Sequence, residues 1–392
     1  MAFDHLPKKI LSKLDSGKAL TVIGMMSGTS MDGIDVALIE SDGNDFVKTL
    51  KAEEYPYKAD FKVQIAKGLE EAIGLSSAKD RTPFLKDIET AITDLHAKAF
   101  HAFLTTHDLS PEDIDLIGFH GQTVLHRPQS GYTVQLGNGQ QLANETKIAV
   151  IYDMRSNDMA HGGQGAPLVP VFHQAFSGNL PQEFQNRLPV VFVNIGGISN
   201  ISFIGSDGEL IAFDTGPGNA LIDQWVQSEA GIPFDQNGAI ASEGGLIVSI
   251  VERYLAESFF EQTIPKSLDR NDFKPLAPGA ASLEDGARTL AHISAAAILK
   301  SCDHLPQTPM LWIICGGGRK NPAIMADLKS LAAEIGSRAI LAEEAGLDGD
   351  SMEAEAWAYL AVRSVKGLPL TFPKTTGCKE PVTGGRLALP ET

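Results

Sequence analysis

The stretch GMMSGTSMDGIDVALIE, Gly24 to Glu40, places a turn of small and polar residues between two apolar runs that are typical of strands. Gly28 lets the backbone pass close to a ligand, and the hydroxyl residues around it offer side-chain and amide donors. Such a turn can hold phosphate oxygens. A D-G pair between apolar runs is also an ordinary hairpin signal, so this stretch alone leaves both interpretations open.

Length and charge limit what the whole chain can do. The chain has 392 residues, 43% of them hydrophobic, and carries a formal net charge of −17. This length exceeds what one domain usually holds, so we expect two lobes. The acidic balance argues against a nucleic acid or an anionic membrane as partner, because phosphate backbones select clusters of Lys and Arg. A bound phosphate would therefore be held locally.

Targeting, membrane and cysteine signals are weak throughout the sequence. The first twenty residues have no apolar run suited to a signal peptide, and no eighteen consecutive residues are apolar. We therefore expect a soluble, cytoplasmic protein that does not bind membranes. Cys302, Cys315 and Cys378 lie far apart and lack C-x-x-C spacing, so they indicate neither a disulfide framework nor a zinc site.

Apolar, β-rich runs alternate with helical patterns along the chain, which favours an α/β fold. From Phe84 to Thr106, apolar residues recur at spacings of three and four and predict a helix. A second stretch, VNIGGISNISFIGSDGELIAFDTG, has the same order of strand, small-residue turn and strand as the stretch at 24–40. This second copy begins near Pro189. The echo suggests a duplicated unit, with coincidence between two hairpins as the alternative.

Three further glycine-rich stretches follow apolar strands. NIGGISN, 194–200, would free amides to point at an anion. FDTGPGNALID, 213–223, sets Asp214 at a strand end beside a helix whose first amides are placed to meet phosphate. WIICGGGRKNP, 312–322, would form a flat surface for a base or a ribose. Tight turns, a helix cap and a flexible loop are the alternatives, and neither the P-loop nor the dinucleotide fingerprint is present.

Polar side chains also cluster at the ends of other apolar strands. His120, Gln122, Asp153, Arg155 and Asp158 occupy positions where α/β folds place ligand contacts. Taken singly, a residue of this kind is more often a satisfied structural group than a catalyst.

Taken in order, the motifs IGMMSGTSMDGIDVALIE, HGQT, GGQGAPLVP, NIGGISN, FDTGPGN and CGGG resemble those of the anhydro-N-acetylmuramic acid kinases, members of the actin, Hsp70 and sugar-kinase superfamily. The resemblance spans the chain from about Ile23 to the C-terminal tail. It implies an α/β fold of two ribonuclease-H-like lobes with ATP in the cleft between them. We expect an N-terminal lobe at 1–150, a C-terminal lobe at 151–370 and a tail at 371–392.

The resemblance also implies a reaction. ATP, water and 1,6-anhydro-N-acetylmuramic acid give ADP and N-acetylmuramic acid 6-phosphate, in the recycling of peptidoglycan. Asp214 corresponds to the base of the family, and Glu353, which lies close to Glu355, corresponds to a glutamate of the sugar site. The partners are thus an amino sugar and ATP, with Mg²⁺ carried on the ATP and no metal site made by the protein alone. A homodimer is expected.

The expected contacts fall into two sets. The ATP-binding set is Gly24, Met25, Met26, Ser27, Gly28, Thr29, Ser30, Met31, Asp32, Gly33, Asn194, Gly196, Gly197, Gly216, Gly218, Asn219, Gly316, Gly317 and Gly318. The substrate-binding set is His120, Gln122, Thr123, Asp153, Arg155 and Asp158.

One loop departs from the family pattern. Relatives carry something like KSTGRE where this chain has KSLDRND, 266–272, so we do not expect a contact role for this loop. Two other functions remain open at this stage. One is an ordinary hexose or acyl kinase in which Asp214 deprotonates a substrate hydroxyl directly, and the other is a nucleotide-switched protein like actin or Hsp70.

Overall fold

The computed structural model describes residues 5–28, 30–185, 187–268 and 272–391, and it is an α/β protein as predicted. The strands are β1 Leu20–Ser27, β2 Gly33–Ser41, β3 Val47–Pro56, β4 Leu116–Arg127, β5 Tyr132–Leu136, β6 Val150–Tyr152, β7 Val190–Ile195, β8 Ile198–Ile204, β9 Leu210–Pro217, β10 Leu311–Cys315, β11 Arg338–Leu341 and β12 Arg386–Ala388. The helices are α1 Lys8–Asp15, α2 Ala59–Ala72, α3 Pro83–Thr106, α4 Gly139–Thr146, α5 Ser156–Ala160, α6 Pro170–Ser177, α7 Ala220–Ala230, α8 Val248–Leu255, α9 Leu283–Lys300, α10 Pro322–Glu334, α11 Met352–Lys366 and α12 Pro373–Thr376. No helix among the described residues is both long and apolar enough to span a bilayer.

The chain packs as two compact units. The first unit comprises Met1–Asn179 and Ser351–Thr392, and the second comprises Leu180–Asp350. These bounds differ from the lobes expected at 1–150 and 151–370, because the chain returns to the first unit through α11.

The two sheets share one strand order. In the first unit β3, β2 and β1 are antiparallel neighbours, and β4 and β6 continue the sheet parallel to β1. In the second unit β9, β8 and β7 are antiparallel neighbours, and β10 and β11 continue parallel to β7. Three antiparallel strands followed by two parallel ones form the ribonuclease-H-like order, which confirms the expected fold class in each unit.

Helix α11 packs closely on the first sheet. A Cβ at Gly24 would meet the carbonyl oxygen of Ala354, and one at Gly118 would meet that of Trp357. Glycine at these two strand positions therefore lets the helix backbone approach the sheet directly. This packing sets the N-terminal half of α11 against the strands that carry the polar residues of the first unit.

The stretch at 24–40 contains the second half of strand β1 and nearly all of β2. β1 and β2 are paired antiparallel, with Leu20 opposite Ser41 and Met26 opposite Asp35, so the stretch is a hairpin. Its turn has Met31 in the left-handed region, with φ of 58°. A hairpin can still hold phosphate oxygens, because its turn carries hydroxyl and amide donors.

Candidate active site

Most of the ATP-binding residues expected in the first unit belong to strand β1 and its turn. Four of them, from Gly24 to Ser27, are buried in β1, and Gly33 begins β2. The turn itself exposes Ser30 and Asp32, and Asp32 forms a 3.4 Å ion pair with Lys62. Thr29 lies outside the described residues.

A buried hydrogen-bonded chain supports this turn. The Ser27 hydroxyl donates to Oε1 of Gln122 at 2.5 Å, and the Tyr57 hydroxyl donates to Ser27 at 2.9 Å. Nε2 of Gln122 in turn donates to the carbonyl oxygen of Gly28 at 3.1 Å. Ser27 and Gln122 are fully buried, so their side chains hold the turn in place from beneath.

A second polar cluster in the first unit joins β4, the segment after β6 and helix α11. Nη2 of Arg155 is 3.2 Å from Nε2 of His120, and the Arg155 guanidinium lies 5.0 Å from the ring centroid of Trp357. Nη1 donates to the carbonyl of Gly165 at 2.8 Å. Nε of Arg155 is buried and has no hydrogen-bond partner within the described ranges. One donor of this cation is thus left for a ligand.

The charges in this cluster are perturbed by burial. Burial, followed by the nearby Arg155 charge, lowers the pKa of His120 well below its ordinary value, so the ring is neutral near pH 7. Its Nδ1 is 2.8 Å from the Gly121 carbonyl, which leaves Nε2 to accept from Arg155. Burial also raises the pKa of Glu353, while Arg155 acts to lower it. A neutral imidazole, a guanidinium and a carboxyl group thus meet in one buried place.

Two other residues of the expected substrate-binding set, Asp158 and Asp153, form hydrogen bonds within the protein. Asp158 accepts hydrogen bonds from Thr371 at 2.5 Å, from Thr376 at 2.7 Å and from the amide of Gly165 at 2.7 Å. Asp153 has φ of 54° and accepts from Ser156 at 2.5 Å. Thr123 borders an irregularity in the pairing of β4 with β5.

The glycine-rich stretches of the second unit come together at the ends of β7, β9 and β10. The amide of Asn219 donates to Gly196 O at 2.8 Å, and those of Gly218 and Ala220 donate to Gly197 O at 2.9 and 3.1 Å. These main-chain hydrogen bonds at the start of α7 therefore hold the 196–197 turn in place. The third stretch joins them, because a Cβ at Gly318 would clash with Ile195 and approach the Asn219 side chain.

The expected ATP-site glycines separate into two groups according to the space around them. A Cβ would clash with protein atoms at some of them, so the fold itself requires glycine there; these are Gly24, Gly33, Gly216, Gly218, Gly316 and Gly318. At the others a Cβ would find ordinary contacts at 3.5 Å or more; these are Gly28, Gly196, Gly197 and Gly317. Packing among the described residues gives no reason for glycine in the second group. Close approach of a ligand would give one.

Asp214 lies in β9, and two backbone groups of residues 266–268, which come after α8 in the chain, contact it. Its Oδ2 accepts a 2.7 Å hydrogen bond from the amide of Leu268, and its own amide donates to Lys266 O at 3.0 Å. Burial raises the pKa of Asp214 to about 6, and the Leu268 hydrogen bond acts in the opposite direction. Such a carboxylate is mostly ionised at pH 7, yet it is more basic than an ordinary one.

The expectation that the 266–272 loop does not contact a ligand stays a prediction, but the first residues of this loop do contact Asp214. Lys266 and Leu268 contact Asp214 through main-chain atoms, which any side chain supplies equally well. A departure in side-chain sequence therefore does not predict their loss. Residues 269–271 of this loop lie outside the described residues.

The sequence analysis did not single out Trp357 or Tyr57, and it named Lys266 only as the first residue of the divergent loop. For Trp357 a signal existed, because it lies one helical turn after Glu353 and so shares its face of α11. Tyr57 and Lys266 act through contacts with residues distant in the chain, which no local pattern indicates.

The family model for anhydro-N-acetylmuramic acid kinase matches residues 20–389. The chain is 56% identical over 370 residues to the anhydro-N-acetylmuramic acid kinase of Rhizobium johnstonii, a match that covers 94% of this chain and 99% of that one. It is 54% identical over 371 residues to that of Agrobacterium fabrum, covering 95% and 99%. Among solved structures it is similar to the ADPNP-bound activator of 2-hydroxyisocaproyl-CoA dehydratase from Clostridium difficile, with a TM-score of 0.42 and 12% identity over 89% of this chain and 96% of that one.

Two ribonuclease-H-like sheets with glycine-rich turns after their first strands define a protein of the actin-like ATPase and sugar-kinase class. Within this class, the chain belongs to the anhydro-N-acetylmuramic acid kinase family. It is a kinase.

Proposed function

We propose that this kinase uses ATP and water to convert 1,6-anhydro-N-acetylmuramic acid into N-acetylmuramic acid 6-phosphate and ADP, a reaction of peptidoglycan recycling. The observation that carries the proposal is Asp214, a half-buried carboxylate with a pKa raised to about 6 in the family's FDTGPGN motif. The family match supports the choice of sugar.

A single proton transfer links the two halves of the reaction. Asp214 accepts a proton from water as the water oxygen attacks C1, and the bond between C1 and O6 breaks. The released O6 attacks the γ-phosphorus of ATP, and ADP leaves. Transfer of this kind needs positioning and neutralisation of charge more than covalent help from the protein. The oxygen of water is therefore expected on C1, and O6 of the sugar is expected to become the phosphate ester oxygen.

The nucleotide is proposed to bind at the glycine turns with open space, where backbone can come close to phosphate. In the second unit, Gly196 and Gly197 would approach the phosphates, and Gly317 would lie near the adenosine. The residues with packing roles, such as Gly218 and Asn219, would hold these turns in shape.

Mg²⁺ is proposed to arrive with ATP and to neutralise phosphate charge. In the described part of the chain, no three His, Cys, Asp or Glu side chains are grouped to hold a metal ion. Mg²⁺ commonly takes most of its ligands from phosphates and water.

The sugar is proposed to contact the polar cluster of the first unit. The free Nε–H of Arg155 would donate to a sugar oxygen, and the Glu353 carboxyl group would bind a hydroxyl or amide group. Glu355 is a weaker candidate for this role, since it is 3% exposed and within 3.4 Å of the Ser351 hydroxyl.

The direct test of the reaction uses water labelled with ¹⁸O. Label at C1 of the sugar product is expected, and label in the transferred phosphate would overturn the mechanism. A competition between the anhydro sugar and free N-acetylmuramic acid tests the substrate, because an ordinary hexose kinase would phosphorylate the free sugar. The expected homodimer and cytoplasmic location remain predictions, and light scattering with chromatography would test the former.

A further inference from the structure

Lys266 is a buried lysine beside the proposed base. It is 6% exposed, and it directly precedes the segment whose Leu268 amide contacts Asp214. Burying an ammonium group is unfavourable unless hydrogen bonds replace the lost water. A buried ammonium group at position 266 therefore suggests that the charge of Lys266 has a specific role.

The Lys266 ammonium lies in a cage of carbonyl groups and aromatic rings. Nζ donates to the carbonyl oxygens of Phe259 at 3.0 Å and Phe260 at 3.2 Å, and it is 3.1 Å from Nε2 of His304. It also lies 4.4 Å from the Phe259 ring centroid and 5.8 Å from that of Phe213, the neighbour of Asp214. Two carbonyl oxygens and an aromatic face match the donors and the charge of an ammonium group. Nε2 of His304 lies 2.7 Å from the Phe260 carbonyl oxygen and donates to it, so this nitrogen helps to hold the Phe260 carbonyl group and does not accept from Lys266.

The cage around the Lys266 ammonium holds the backbone of residues 266–268, which forms two hydrogen bonds with Asp214. The carbonyl oxygen of Lys266 accepts from the Asp214 amide at 3.0 Å, and the Leu268 amide donates to Oδ2 at 2.7 Å. The charged groups that influence the Lys266 ammonium are Lys300 and Asp303, and His304 is in contact with it. Asp214 is not among these groups, so the link between the two residues runs through the backbone.

We infer that Lys266 is a positioning residue for the base, holding residues 266–268 so that the Leu268 amide stays directed at the Asp214 carboxylate. The inference rests on the proposed role of Asp214. It assigns this function to Lys266, which KSLDRND shares with the KSTGRE pattern, whereas the departure from that pattern begins at Leu268.

The test compares Lys266→Met, which keeps the length of the side chain but removes its charge and donors, with Lys300→Met as a control. The control removes a nearby cation and leaves the cage contacts in place. For Lys266→Met we expect kcat to fall about ten- to a hundred-fold, as for a slightly misplaced catalytic group, with ATP affinity unchanged. The pH below which kcat falls should rise by roughly one unit, because the hydrogen bond that favours the ionised Asp214 carboxylate is weakened. Lys266→Arg, which keeps the charge, should recover part of both losses.

A second variant keeps the inference testable if Lys266→Met does not fold. Replacing Leu268 by its α-hydroxy analogue turns the amide into an ester, which removes the N–H donor and leaves every side chain intact. The same rise in the pH below which kcat falls is expected. An unchanged profile in this variant, or wild-type kcat in folded Lys266→Met, would overturn the inference.

The control for the proposed function is separate. If Asp214→Asn keeps its activity, the base has been wrongly assigned and the proposed mechanism fails. If Asp214→Asn is inactive while Lys266→Met behaves as wild type, only the positioning role fails.

Discussion

The guanidinium of Arg155 lies over the ring of Trp357, 5.0 Å from its centroid. The ring covers one face of the cation, and Gly165 and His120 take hydrogen-bond positions at its two terminal nitrogens. Arg155 is thereby held in one orientation with its buried Nε–H unpaired by described residues. The cation is thus prepared for a ligand before any ligand binds.

Arg155→Lys should impair sugar binding without affecting ATP. Lysine keeps the charge but lacks the planar fork and the Nε–H. Loss of a hydrogen bond from a charged donor costs about 1.5–3 kcal/mol, so KM for the sugar should rise roughly ten- to a hundred-fold. Arg386→Lys is the matched control, since Arg386 also lies over an aromatic ring, that of Tyr152, but is exposed. Steady-state kinetics with an unchanged sugar KM in Arg155→Lys would remove Arg155 from the sugar site.

Asp214→Asn should abolish most activity and leave ATP binding intact. Asparagine preserves the shape and can still accept from Leu268, but it cannot take a proton. The loss in kcat should be at least ~10²–10⁴-fold, which is the usual contribution of a positioned base. Calorimetric titration with ATP checks that the variant is folded and competent. Substantial remaining activity would point to another base, and Glu353 would be tested next.

The raised pKa of Asp214 also predicts how activity depends on pH. The base works only when ionised, so kcat should fall as pH drops through about 6, the value to which burial raises its pKa. The measurement is a kcat profile between pH 5 and pH 8, with circular dichroism at each pH to exclude unfolding. A kcat that stays constant down to pH 5, as expected for a carboxyl group with the ordinary pKa of 3.8, would contradict the assignment.

The same shift predicts that Asp214→Asn is stabilised relative to wild type as pH rises. Between the unfolded value near 3.8 and the folded value near 6, the native state holds a proton that the unfolded chain has released. Stability of the wild type therefore decreases with rising pH in this window, and the variant lacks this contribution. The difference in Tm should move in favour of the variant from pH 5 to pH 7.5. A constant difference would mean that the carboxylate is not desolvated.

Gly197 and Gly218 form a matched pair for testing the nucleotide site. Gly197→Ala puts a Cβ 3.6 Å from Ala220, which the fold tolerates, so stability should be near that of wild type. If phosphate lies there, ATP affinity should fall about tenfold, equivalent to about 1.4 kcal/mol. Gly218→Ala drives a Cβ into the Gly196 carbonyl and should cost roughly 1–3 kcal/mol of stability by overpacking. Urea unfolding and calorimetry separate the two effects, and normal ATP binding by Gly197→Ala would place this turn outside the site.

Gln122→Leu tests whether this residue acts on the turn or on the sugar. Its two hydrogen bonds to Ser27 and Gly28 are buried, so their loss should cost roughly 1–3 kcal/mol and loosen the turn. We expect weaker ATP binding with a smaller change in sugar KM. Tyr57→Phe removes only the outer hydrogen bond of the chain and should have the same effect at about 1 kcal/mol. A change confined to sugar KM would instead support direct contact with the sugar, as the sequence predicts.

Local patterns predict the secondary structure of the main elements and the α/β class. The helix predicted from Phe84 to Thr106 is α3, Pro83–Thr106, because apolar spacing along one helix face is a local property. The hairpin at 24–40 and the α/β class follow for the same reason. Asp214 could be singled out as a candidate from the sequence, because the glycines of its motif follow it in the same short stretch of chain.

The tertiary structure alone decided which atoms meet. Trp357 covers Arg155, Leu268 contacts Asp214, and a Cβ clashes at Gly218 while one at Gly197 does not. No pattern in the sequence indicated that the last 42 residues, 351–392, belong to the first unit. Each of these depends on close approach between segments that are separate along the chain. Sequence spacing describes only neighbours along one helix or strand, whereas burial, pKa shifts and free space around a glycine arise from atoms that the fold brings together.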